Sequence, residues 1–103
     1  MFRHVVMFRL IPGTTPEQRA SLSAALADLL RQIPEVRSFH VGADAGLSEG
    51  NFDVVVVAEF DDAEGYRAYA GHPAHVRVVT DQIRPLTIER AAVQFASPEV
   101  PAS

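Results

Sequence analysis

Apolar and polar side chains alternate through Phe2-Arg3-His4-Val5-Val6-Met7-Phe8-Arg9-Leu10, a run rich in β-branched and aromatic residues that stops at Pro12-Gly13. This pattern predicts a strand. Period two puts Phe2, His4, Val6, Phe8 and Leu10 on one face and leaves Val5 and Met7 on the other, flanked by Arg3 and Arg9. Thr15-Pro16-Glu17-Gln18 then reads as a helix start. Thr15 suits the cap, Pro16 the first helical position, and Gln18 the reciprocal position of a capping box. Leu22, Leu26, Leu29 and Ile33 recur at helical spacing, with Ala25 and Leu30 widening the stripe. Pro34 ends this helix, because it has no N–H to donate and disfavours helical geometry at Ile33.

Val36 to Val41 predicts a short, more polar strand, and the glycines between Gly42 and Asn51 mark a loop. Phe52 to Phe60 contains four consecutive valines, the pattern of a central strand buried on both sides. Asp61 to Glu64 predicts a second helix with Asp61 as cap and Glu64 at the box position; it carries Tyr66, Tyr69 and Ala70 and stops at Gly71. His72-Pro73 breaks the chain, Pro73 opens another helix to about Ile83, and Leu86 to Ala96 predicts the last strand. Residues 97–103, with two prolines, read as a loose tail after a single domain over 1–96. The order β-α-β-β-α-β implies an α+β, ferredoxin-like architecture: a four-stranded antiparallel sheet with helices on one face. Two helices cover one side only, yet the first, third and fourth strands carry apolar residues on both, the fourth with Leu86, Ile88 and Ala92 against Ala91, Val93 and Phe95. The expectation is a homodimer through the helix-free sheet face.

Composition narrows the classes of partner. A chain of 103 residues that is 48% hydrophobic and 21% charged suits one packed globule. The formal net charge is −4, no Lys occurs, and the nine Arg are scattered, which argues against nucleic acid. Arg3, Arg9, Arg77 and Arg84 are too dispersed for an anion clamp to be read from sequence. With no Cys, disulfides, thiolate chemistry and Cys-ligated zinc are excluded. The N-terminal segment lacks the uninterrupted apolar stretch of a signal peptide, and no run approaches the ~20 apolar residues of a membrane span. The expectation is a cytoplasmic chain with no membrane partner.

Several segments together resemble the stress-responsive dimeric α+β barrel (Dabb) family. They are His4-Val5-Val6-Met7-Phe8, Pro12-Gly13-Thr14, Ile33-Pro34-Glu35-Val36, Phe52-Asp53, Glu59-Phe60-Asp61-Asp62 and Tyr69-Ala70-Gly71-His72-Pro73-Ala74-His75. The last, Y-x-x-H-P-x-H, is the most specific. The resemblance covers about Phe2 to Phe95 and implies a sheet-to-sheet dimer with a cavity between sheet and helices in each subunit. The heptapeptide is also similar to that of olivetolic acid cyclase, a plant polyketide cyclase in the family. That similarity implies that Tyr69 and His75 act together while His4 lines the pocket. The cyclase has a further pocket His near the start of the third strand, where this chain has Val54 preceded by Asp53.

The candidate catalytic residues are therefore His75, as a general base, and Tyr69, holding it or steadying an enolate. At the third position of its helix, His75 would feel the positive end of the helix dipole and favour the neutral form. A structural alternative has His75 bonding a carbonyl and Tyr69 filling the core. His4 is a candidate binding residue, since a polar ring on an apolar face needs a partner. His72 is a second candidate, though its place before Pro73 also suits a loop or cap. His40 reads as an exposed strand residue. A metal site from His4, His72, His75 and Asp53 lacks any regular ligand spacing, and no cofactor is implied. Two functions stay open. One is a cofactor-independent cyclase or isomerase acting on a polyketide-like or polycarbonyl molecule. The other is a non-catalytic stress-associated or ligand-binding dimer holding an apolar ligand. Cofactor-free oxygenation is a weaker third.

Overall fold

A computed structural model describes residues 1–98, so the tail expected from residue 97 falls, past Pro98, outside the described residues. The chain forms β1 (Phe2–Leu10), α1 (Pro16–Gln32), β2 (Ser38–Ala43), β3 (Val54–Phe60), α2 (Ala63–Ala70) and α3 (Pro73–Val78). A π-helical turn (Val79–Ile83) and a 3-10 turn (Arg84–Leu86) then lead into β4 (Thr87–Ala96). All strand pairs are antiparallel and the sheet order is β2-β3-β1-β4, the ferredoxin-like arrangement. The molecule measures 42 × 36 × 19 Å, a slab one sheet and one helix layer thick.

Local chemistry accounts for most element boundaries. The Thr15 hydroxyl accepts from Gln18 N while the Gln18 side chain accepts from Thr15 N, closing the capping box. At the start of α2 it is Asp62 that caps, accepting from Gly65 N; the expected cap Asp61 instead pairs with Arg37. Glu64, expected to close a box there, pairs with Arg67. α2 lies so close to β3 that a Cβ on Gly65 would sit 3.2 Å from Phe60 Cβ, so glycine suits this crossing. β2 begins two residues later than the pattern suggests because Val36 is buried in a turn off α1. β3 begins at Val54, since Asp53 serves as an anchor: its carboxylate accepts from Leu10 N at 2.8 Å, and its own N–H donates to Phe8 O.

The inner face of the sheet and the stripe of α1 make the core. Val6, Phe8, Leu10, Val54, Val56, Ala58 and Phe60 pack with Leu22, Leu26, Leu29 and Ile33. Leu30, expected to widen the helical stripe, is 43% exposed, because it lies off the arc that meets the sheet. The outer face carries Val5, Met7, Val55, Val57, Val93 and Phe95, with Arg3–Glu59 and Arg9–Glu89 pairs at its ends. β4 departs most from the sequence pattern. The register shifts between Arg9 and Leu10, and Ile88, expected on a packed face, is 58% exposed at that break.

Candidate functional site

The helix layer does not fill the whole inner face. A cavity of about 370 Å³ opens between β1, β4 and the segment from α2 to the 3-10 turn. Its apolar wall includes Val6, Phe8, Leu26, Val56, Val79 and Ile83, and its polar wall His4, Tyr66, Tyr69, His75, Arg84, Thr87 and Arg90.

The corner at His72-Pro73 brings two of these groups together. α2 ends with Gly71 N bonded to Arg67 O and His72 N bonded to Tyr69 O. His72 is extended, Pro73 takes the first position of α3, and the His72 ring nitrogen Nδ1 accepts from Ala74 N at 3.0 Å. A last-turn residue of α2 and a first-turn residue of α3 therefore meet. The Tyr69 and His75 ring centroids are 4.3 Å apart, inclined at 47°. Tyr69 is 2% exposed and packs against Phe60 as well.

Hydrogen bonds fix the tautomers. His75 Nδ1 lies 3.0 Å from Ala70 O, and a carbonyl only accepts, so Nδ1 carries the proton and Nε2 keeps its lone pair. In His4 the roles are reversed: the Gln94 amide nitrogen lies 2.8 Å from Nδ1 and donates to it, which leaves the proton on Nε2. The cavity thus holds one imidazole acceptor and one imidazole donor. Both rings are neutral near pH 7. Burial lowers the His4 pKa to about 4, assisted by the charge of Arg90 and by His75. His75 is also lowered, mainly by burial and further by Arg90 and His72, against the opposing pull of the Ala70 carbonyl. Burial, more than the dipole of a short helix, keeps His75 basic but uncharged. Burial and neighbouring Tyr66 raise the Tyr69 phenol, so it remains a donor across the neutral range.

Of the candidate residues, His4, Tyr69 and His75 reach the cavity and His72 does not. His72 is occupied as the cap of α3 and acts on the site only by fixing the corner. Val54 is core and Asp53 is committed to Leu10 N, so neither enters the lining. Among the described residues no group of three or more His, Asp or Glu is placed to hold a metal. The sequence pattern did not single out Tyr66, Thr87, Arg84 and Arg90 as cavity residues, nor Gln94 as the partner of His4. The Tyr66 and His4 ring centroids are 4.9 Å apart, and the other four lie on β4 or the turns before it. Their only signal in the sequence was alternation along β4, which the register break conceals.

Comparison with known proteins gives a consistent picture. The family description "Stress responsive A/B Barrel Domain" (Dabb) matches residues 2–97. The stress-response A/B barrel domain-containing protein HS1 of Arabidopsis thaliana is 28% identical over 80 residues, covering 76% of this chain and 73% of its own. A dimeric ferredoxin-like protein of unknown function from Thermobifida fusca superposes with a TM-score of 0.85 at 42% identity, over 93% of this chain and 90% of its own. A hydroxynitrile lyase from Passiflora edulis shares the fold, with a TM-score of 0.85 at 16% identity over 98% and 96% of the two chains. No helix among the described residues is long and apolar enough to cross a membrane.

Proposed function

The chain belongs to the stress-responsive A/B barrel (Dabb) family, and on that footing we propose that its cavity binds a small carbonyl compound and catalyses a cofactor-independent cyclisation or isomerisation. The observation that carries this reading is the Tyr69–His75 pair at the cavity wall, with His75 Nδ1 committed to Ala70 O and Nε2 left basic. Nε2 takes a proton from carbon between two carbonyls, and the electron pair moves to one carbonyl oxygen as an enolate. The His4 Nε2–H and the Tyr69 hydroxyl are the donors available to that oxygen. The enolate carbon then attacks a further carbonyl, whose oxygen takes the proton back from the imidazolium, or the imidazolium returns the proton to a different atom of the enolate. Among proteins of this fold, a hydroxynitrile lyase is an enzyme, so the scaffold accommodates catalysis.

The working unit in this proposal is a homodimer joined through the helix-free sheet face, a reading supported by the apolar outer residues of β1, β3 and β4. The Thermobifida fusca relative is itself dimeric.

The test needs no knowledge of the natural substrate. Methylene hydrogen exchange of ethyl acetoacetate in D2O, followed by NMR, reads proton abstraction directly. Wild type should accelerate exchange over buffer, and His75→Ala should return it to the buffer rate, a loss of about 10²–10⁴-fold. Tyr69→Phe should slow exchange less. The wild-type rate should rise with pH through a folded His75 pKa below 6.5 and stay level above it. Equal rates for wild type and a folded His75→Ala protein would instead favour a non-catalytic, ligand-binding role for the same cavity.

A further inference from the structure

The cavity's charge runs against that of the chain. The protein has 13 acidic residues and a formal net charge of −4, yet among the described residues no Asp or Glu lines this cavity, while Arg84 and Arg90 both do. The two arginines come from different elements, the 3-10 turn and the inner face of β4, where Arg90 lies opposite Phe8. Neither makes an ion pair or a side-chain hydrogen bond among the described residues, whereas Arg3, Arg9, Arg37 and Arg67 are all paired with carboxylates. The Thr87 hydroxyl oxygen, which falls between them in the chain and lines the same cavity, is buried and has no hydrogen-bond partner among the described residues. Two guanidinium groups and an unsatisfied hydroxyl in the lining of one largely apolar cavity are a donor set with no carboxylate to meet it among the described residues.

We propose that Arg84, Arg90 and Thr87 form an anion subsite that selects a carboxylate-bearing ligand for this cavity. The carboxylate sits at the arginine edge and the apolar body extends inward toward Tyr69 and His75. A carboxylate matches the planar fork of a guanidinium, and its remaining lone pairs suit the Thr87 hydroxyl. An apolar wall behind the arginines favours an amphipathic acid over a small inorganic anion. The assignment deepens the proposed function by naming the class of carbonyl compound as an oxo acid. It rests on that reading only for the chemistry and not for the binding. Arg90 also adds to the effect of burial on both imidazoles, so a bound carboxylate would partly neutralise a charge that helps burial keep His4 and His75 deprotonated.

Calorimetric titration of 3-phenylpropanoate against 3-phenylpropanamide isolates the charge, because the pair has nearly the same shape. The acid should bind wild type at least about tenfold more tightly than the amide, the ratio expected of a charge-assisted pair. The preference should weaken with added salt. In the double variant Arg84→Gln/Arg90→Gln the acid should fall to the amide's affinity while the amide is unchanged. Both arginines are exposed, so the fold should tolerate the change, and a thermal melt verifies it. Thr87→Val should lower acid affinity by a smaller factor. An amide that binds as tightly as the acid, a preference that survives the double substitution, or binding of neither compound would overturn the subsite. His75→Ala separates this assignment from the proposed chemistry: it should keep the acid preference while losing hydrogen exchange. If exchange depends on His75 but no acid preference exists, the base stands and the anion subsite fails. If the preference exists and exchange ignores His75, the subsite stands and the base fails.

Discussion

On β3, Val54, Val56 and Ala58 are buried beneath the helices, while Val55 and Val57, one residue along, keep part of their surface in water. The same holds on β1, where Val6 and Phe8 are core and Met7 is 37% exposed. The residue types on the two faces are nearly the same. What differs is the material available to cover them. α1 through α3 pack on the inner face, and among the described residues nothing packs on the outer one. An apolar sheet face bordered by the Arg3–Glu59 and Arg9–Glu89 pairs has the composition of an interface core with a polar rim. Equal hydrophobicity on the two faces therefore points to a monomer whose second face is completed by association.

Charge placed on each face should separate their roles most sharply. Val56 is 1% exposed in the core, and Val56→Asp should exceed the whole stability of a domain this size, roughly 5–15 kcal/mol, leaving an unfolded chain by circular dichroism. Val57→Asp should leave the secondary structure intact and convert the dimer to monomers or aggregates in sedimentation. A Val57→Asp protein that remains dimeric would break the comparison, as would a wild-type protein that is a stable monomer at micromolar concentration.

Acid should weaken the inner face first. The folded pKa of His4 lies at about 4 against 6.5 for the unpaired ring. Above the unfolded value both states are neutral and the stability is complete. As pH falls below it, the unfolded chain takes up a proton that the folded core refuses. Between pH 7 and pH 5 this one group should withdraw about 2 kcal/mol in urea unfolding. His75, shifted in the same direction, should add to the loss. His4→Phe, which cannot titrate, should flatten most of the slope; a slope left unchanged would place its origin elsewhere.

The smallest effect belongs to the rim of the outer face. Arg9 Nε meets Glu89 Oε1 at 2.8 Å in a partly solvated pair. Glu89→Gln should cost less than about 1 kcal/mol, and the cost should fade as salt is added. A loss above that, persisting in salt, would indicate that this pair is buried by a partner.

The sequence by itself determined the element order, the capping box at Thr15, the inner-facing set of β1 and the stripe of α1. These depend on residues within a turn or a strand of one another, where period and capping chemistry act locally. It also singled out Tyr69 and His75, through the resemblance that the Y-x-x-H-P-x-H segment carries, and the proline break in that segment fixes the geometry of a short corner. It placed Asp61 where Asp62 caps, and it counted Leu30 and Ile88 as packed, since one residue decides which side chain caps, how α1 meets the sheet decides Leu30, and strand register decides Ile88. Only the tertiary structure decided that His4 donates while His75 accepts: those tautomers depend on Gln94, 90 residues away, and on the carbonyl of Ala70 across the corner. The same holds for Arg84 and Arg90. Read along the chain they are two of nine scattered arginines; the turn before β4 and the pairing of β4 with β1 bring both into the lining of one cavity. Local patterns specify which face a side chain occupies, but the partner it meets there depends on strand pairing, which links residues far apart in sequence.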